Sequence, residues 1–196
     1  MEPSPSRGKS ARLIILIVAG VVVLLGVLFS GAYFLYFFSH FRPYKIGAES
    51  MCPTLCQGER VVAEKGAYVS RNPQRGELIV LELPEEQALL IKRVIGVAGD
   101  TVEPGPKNEV MVNGKALKPP GICGRPPMDQ VAKGELPGFP PTKVPKGYFF
   151  VVGDNLANSN DSRYPEFGLV SVVQLREKPV FIYWSPNGSR IGCKTQ

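Results

Sequence analysis

LIILIVAGVVVLLGVLFSGAYFLYFF, residues 13–38, is a run of 26 positions without one charged side chain. As a helix rising 1.5 Å per residue it would be about 39 Å long, more than the roughly 30 Å of a bilayer's hydrocarbon core. It can therefore cross once, with tilt absorbing the excess. Arg7, Lys9 and Arg12 precede the run, and Arg42 and Lys45 follow it. That slim positive bias places the N-terminus in the cytoplasm and everything after Ser39 outside. Tyr33, Tyr36, His40 and Tyr44 stand where interfacial anchors stand. A cleavable signal peptide is the competing expectation, because Ser30-Gly31-Ala32 supplies small residues for a cut. The run is about twice the length of an ordinary signal-peptide core and continues past that cut through residues 33–38, which favours an uncleaved anchor.

Working outward, the expected organisation is a cytoplasmic tail over 1–12, a transmembrane helix over 13–38 and an extracytoplasmic domain over 39–196. Those last 158 residues suffice for one domain of ordinary size. Of the whole chain 44% is hydrophobic and 20% charged, which excludes a charge-dominated disordered protein. The net charge of +6 comes without a long basic run or interleaved aromatics, so anionic lipid headgroups explain it better than nucleic acid does. The single histidine, His40, adjoins the apolar run, so a Ser/His or Cys/His site is not expected. The cysteines, at 52, 56, 123 and 193, form no CxxC pair, and no HExxH helix exists. Neither a metal nor any other cofactor is expected.

Beyond the membrane run, short β-rich stretches alternate with Gly and Pro: 59–65, 77–83, 88–97, 109–112, 148–152, 168–175 and 179–184. This predicts a mainly β domain with no long helix. Asn113-Gly114 between two apolar runs predicts a two-residue hairpin turn. Eight prolines between Pro119 and Pro145 suit a surface excursion, expected as a small insertion or cap over about 103–147. Outside the cytoplasm the four cysteines allow three full pairings, and a buried free thiol stays open for Cys52.

Three patches carry candidate chemistry: 49–55, 89–96 and 153–163. In the second, Lys92 and Arg93 interrupt an apolar run from 88 to 97. Strand alternation sends them to opposite faces, so at least one charge meets apolar neighbours. Lys92 shares its face with Leu90 and Val94, and desolvation there would lower its pKa. At an ordinary pKa only about one lysine in 2,500 is neutral at pH 7, so burial is what would make Lys92 a usable base. The bland alternative is an edge strand with Lys92 reaching back to water. Ser50 precedes a Pro-Thr turn that could expose its hydroxyl and leave a backbone amide facing an oxyanion. The third patch is rich in Asn, Asp and Ser but fails the calcium-loop spacing.

Together the patches resemble the type I signal peptidases of bacteria, membrane-bound Ser/Lys proteases. Ser-Met-x-Pro-Thr-Leu is matched by residues 50–55, Ile-Lys-Arg-x-x-Gly-x-x-Gly-Asp by 91–100, and Gly-Asp-Asn with Ser-x-Asp-Ser-Arg by 153–163. The resemblance implies an antiparallel β-sheet catalytic domain with Ser50 as nucleophile, Lys92 as general base and Ser159 as the hydroxyl holding the lysine amine. It maps supporting ion pairs onto Asp154 with Arg93 and Asp161 with Arg163. Ile46, Met51, Leu90 and Ile91 are the candidate substrate-pocket residues. The implied partners are the lipid bilayer and exported preproteins cut after small residues. The implied location is the bacterial cytoplasmic membrane, with a single pass. Many members carry Ser or Gly two residues before the nucleophile, where this chain has Ala48, and Glu49 adjoins Ser50. A processing peptidase dedicated to one secreted substrate, such as a conjugative pilin, is the nearest rival. A non-catalytic membrane-tethered β module is the more distant one.

Overall fold

The computed structural model describes residues 7–83, 88–106, 109–116, 121, 123, 138–186 and 188–195. It divides into two units, residues 1–40 and 41–196. In the first, helix α1 (Arg7–His40) contains the apolar run and extends it at both ends. From Ala11 to His40 it is long and apolar enough to cross a membrane. Its side chains from Leu13 to Leu35 lie exposed, an apolar surface that a lipid phase can cover. Backbone hydrogen bonds satisfied within the helix make such burial possible.

The second unit is built of antiparallel strands, as the Gly/Pro-punctuated pattern predicts. Strands β1 (Phe41–Lys45), β2 (Arg60–Lys65), β3 (Leu78–Leu83) and β4 (Ala88–Gly96) are followed by β5 (Thr101–Pro104), β6 (Val110–Val112) and β7 (Lys115–Ala116). Then come β8 (Thr142–Lys143), β9 (Tyr148–Val152), β10 (Val170–Ser171) and β11 (Glu177–Trp184). They form three sheets in the orders β1-β2-β11, β10-β9-β4-β3 and β7-β6-β5-β8. Asn113 and Gly114 close the β6–β7 hairpin at φ 52° and 73°, the left-handed pair that a two-residue turn requires.

β4 is a central strand, paired with β3 on one side and β9 on the other. The edge-strand alternative for Lys92 is thereby corrected: Lys92 is 2% exposed and Arg93 1%. Alternation along β4 sends Val94 into a cluster with Ile79, Leu81, Phe149 and Val151, and Ile95 into one with Val102, Phe150 and Leu156. The second of these clusters unites the β5–β8 sheet with β4 and β9 around one core. Within the 103–147 stretch, Thr142–Lys143 pairs with β5, while residues 124–137 lie outside those described. The strand expected over 168–175 is cut short after Ser171. There a capping box between Ser171 and Gln174 starts a 3₁₀ turn, with Ser171 N donating to Gln174 Oε1 at 2.8 Å. The free-thiol option for Cys52 is corrected too, since Cys52 pairs with Cys56 and Cys123 with Cys193.

Candidate active site

The loop from 46 to 59 joins β1 to β2 and carries Ser50. Its ends are tied by Ile46 N to Glu59 O at 2.8 Å and Gly58 N to Ile46 O at 2.9 Å. Met51 and Leu55 drop into a cluster with Ile46, Val61, Leu78 and Ile182, so apolar burial pins the loop beside its serine. A buried ion pair pins its other end. Arg190 Nη1 donates to both Glu59 carboxylate oxygens at 2.7 Å, Arg190 Nη2 donates to the Thr54 carbonyl, and Cys56 N donates to Glu59 Oε2 at 2.9 Å. The Cys52–Cys56 disulfide closes the turn within this loop.

The second component comes from β4. Lys92 Nζ donates to Ser159 Oγ at 2.7 Å in buried surroundings. Burial, opposed by the Asp161 charge and helped by Arg163, lowers the lysine pKa from 10.5 to about 8. About a tenth of the amine is then neutral at pH 7.

The third component is the loop 153–163 after β9. Asp161 fixes it from inside, accepting from Gly153 N at 2.9 Å and from Arg163 Nε at 2.8 Å. Arg163 Nη2 also donates to the Leu156 carbonyl at 2.8 Å. On the opposite face of β4 from Lys92, Arg93 Nε donates to Asp154 Oδ1 at 2.7 Å, and Nη1 to the Gly76 carbonyl at 2.6 Å. Both ion pairs are fully buried, unlike surface pairs that contribute little. Removing one partner of such a pair strands a charge.

Gly153 is where the three components meet. A Cβ added there would lie 2.3 Å from Ser159 Oγ and 2.4 Å from the Ser50 carbonyl oxygen, so only glycine permits this approach. Asn155 N donates to that same Ser50 carbonyl at 3.0 Å, and Asn155 Nδ2 to the Glu49 carbonyl at 3.2 Å. The N–H and hydroxyl of Ser50 have no hydrogen-bond partner among the described residues, and both remain available to a ligand.

A cleft of about 160 Å³ opens at Ser50. All four pocket candidates, Ile46, Met51, Leu90 and Ile91, line it, as does Ala48. Tyr44, Val80 and Leu89 line it as well, and sequence reasoning missed them. It also missed Gly153, Asn155, Glu59 and Arg190. The first two lie inside the Gly-Asp-Asn motif and could have been weighed, whereas nothing along the chain links Glu59 to Arg190, 131 positions away. Among the described residues Glu49, Cys52 and Cys56 bring possible metal-ligating atoms together, but the two sulfurs are bonded to each other.

Residues 14–184 match the family model for signal peptidase, peptidase S26. The chain is 38% identical over 125 residues to signal peptidase I of Bacillus amyloliquefaciens, covering 63% of this chain and 64% of that protein. It is 33% identical over 152 residues to a signal peptidase I of Bacillus licheniformis, covering 76% and 80%. A solved signal peptidase I structure from Enterococcus faecalis is 27% identical, with a TM-score of 0.42 over 55% of this chain and 97% of that one. With the family match running from the apolar helix to the last strand, this chain belongs to the signal peptidase family, peptidase S26.

Proposed function

We propose that this protein is a membrane-anchored serine endopeptidase that removes signal peptides from exported preproteins, with Ser50 as nucleophile and Lys92 as general base. The observation that carries the reading is a buried lysine amine hydrogen-bonded to Ser159, whose hydroxyl oxygen and the Ser50 carbonyl both crowd against Gly153. A lysine can serve as a base only when neutral, and apolar burial favours that form.

The chemistry is acyl transfer. Neutral Lys92 takes the Ser50 hydroxyl proton as the oxygen attacks the peptide carbonyl, giving a tetrahedral intermediate. The resulting ammonium returns its proton to the departing amine, leaving an ester on Ser50. Lys92 then takes a proton from water, which attacks the ester; the serine leaves as the free alcohol with that proton. Ser159 Oγ, 2.7 Å from Nζ, holds the amine between these steps. Lys92 Nζ bonds Ser159 rather than Ser50 here, and catalytic hydrogen bonds commonly tighten in the complex with substrate.

Substrate lies extended between residues 46–48 and β4, bonding through backbone groups and placing side chains in the cleft. The cleft of about 160 Å³ would receive the substrate side chains before the cut. The positive bias before the apolar run at 13–38 and the two disulfides favour a cytoplasmic N-terminus with the β domain outside the membrane of a bacterial cell. The full chain in detergent, offered several preproteins, should shorten each after a small residue. Ser50→Ala and Lys92→Ala should each abolish cleavage, and undiminished turnover by either would refute the assignment. Cleavage of only one preprotein type would favour the dedicated-peptidase alternative.

A further inference from the structure

The site holds an orienting device that is independent of the lysine. We propose that Asn155 is a positioning residue for the oxyanion-binding amide, and that it acts by fixing the peptide plane between Glu49 and Ser50. The inference rests on Ser50 being the nucleophile.

A trans peptide is a rigid plane in which the carbonyl of one residue and the N–H of the next point in opposite directions. Aiming the Glu49 carbonyl therefore aims the Ser50 N–H the other way. Asn155 Nδ2 donates to the Glu49 carbonyl at 3.2 Å, and Asn155 N donates to the Ser50 carbonyl at 3.0 Å. One residue thus grips two successive peptide planes, one on each side of the nucleophile's Cα. The Glu49 carbonyl also accepts from Cys52 N at 3.0 Å, but that bond belongs to the nucleophile's own turn and moves with it. Asn155 belongs to a different element. It is anchored by Asn158 N donating to the Asn155 carbonyl at 2.9 Å, and by its neighbour Asp154 in the buried pair with Arg93.

The geometry leaves the Ser50 N–H without an acceptor among the described residues, directed away from Asn155. Ala48 also lines the cleft at Ser50, and its methyl group offers no donor. The negative charge that develops on the substrate carbonyl must then be met chiefly by this one amide, and such stabilisation depends on donors already aimed before charge appears. The aim matters more here than in a site with two donors. Gly153 makes the arrangement possible, because any Cβ there would collide with the Ser50 carbonyl that Asn155 N holds.

The test uses the full chain in detergent with a signal-peptide substrate and a peptide aldehyde inhibitor. The aldehyde adds to Ser50 as a hemiacetal and resembles the tetrahedral intermediate. Asn155→Ala should lower kcat by about 10- to 100-fold, with KM within a few-fold of wild type. The aldehyde should bind more weakly by a similar factor, and the midpoint of the pH profile should not move. Asn155→Leu keeps a similar size, adds no charge and loses the side-chain donor, and should behave alike, which covers the case that alanine unfolds the protein. Adding Ala48→Ser to Asn155→Ala supplies a hydroxyl donor and should recover part of the rate. Unchanged kcat in both Asn155 variants would overturn the inference, as would a loss of rate that moves KM or the pH midpoint in parallel. Ser50→Ala, assayed alongside, separates the two levels. Cleavage by that variant refutes the nucleophile itself, whereas a dead Ser50→Ala beside a wild-type Asn155→Ala refutes only the positioning role.

Discussion

Replacing Lys92 with methionine should inactivate the protein and make it more stable at neutral pH. The folded state lowers this lysine's pKa from 10.5 to about 8, because burial disfavours the ammonium. At 1.36 kcal/mol per unit, that gap costs the folded state about 3 kcal/mol when the lysine is protonated in both the folded and the unfolded chain. The sign follows from proton binding. Below pH 8 the penalty is complete, between pH 8 and 10.5 it shrinks because the unfolded chain holds more protons, and above 10.5 it is gone. Methionine fills similar volume without a charge and removes the penalty, but it forfeits the hydrogen bond to Ser159, worth about 1 kcal/mol. The net gain at pH 7 is about 2 kcal/mol, turning into a loss of about 1 kcal/mol at pH 11. Urea unfolding of the full chain in detergent, followed by the fluorescence of Trp184, the single tryptophan, measures both values. A variant destabilised at pH 7, or one whose difference from wild type ignores pH, would refute the reasoning.

Other perturbations test the framework around the lysine. Gly153→Ala drives a methyl group to 2.3 Å from Ser159 Oγ and 2.4 Å from the Ser50 carbonyl, so those groups must separate. Cleavage should fall by about 100-fold or more, as a shift near 1 Å costs in an organised site, while circular dichroism shows the fold retained. Asp154→Ala strands the buried Arg93 guanidinium and should cost about 3 to 5 kcal/mol in urea unfolding. The double variant Arg93→Met with Asp154→Leu should recover most of that stability but not the activity. Glu59→Ala removes the carboxylate that Arg190 grips and should lower stability by a similar amount, read by the same unfolding assay.

Much of this architecture is legible along the chain because it follows from local rules. The 26 uncharged residues leave a helix as the natural way to satisfy their backbone in lipid, and Asn113-Gly114 supplies the positive φ angles its hairpin requires. Lys92 stands out because it interrupts an apolar strand. What could not be read locally was whether that strand lay at an edge or the centre, since its neighbours β3 and β9 are set by the global fold. The cysteine pairing was open for the same reason, with Cys123 and Cys193 separated by 70 positions. The 3₁₀ turn at 172–174 overrode a valine-rich, strand-like stretch because Ser171 and Gln174 cap each other's backbone. Glu59 and Arg190 carry no motif, so their joint support of the Ser50 loop emerges only in three dimensions.

The pH dependence of kcat/KM for cleavage of a signal-peptide substrate by the full chain bears most directly on the claim that a neutral Lys92 activates Ser50. The lysine pKa near 8 predicts a single rising limb, about tenfold from pH 6 to 7, with a midpoint near 8 and a plateau above pH 9. A flat profile across pH 6 to 10, or the same limb persisting in Lys92→Ala, would contradict it.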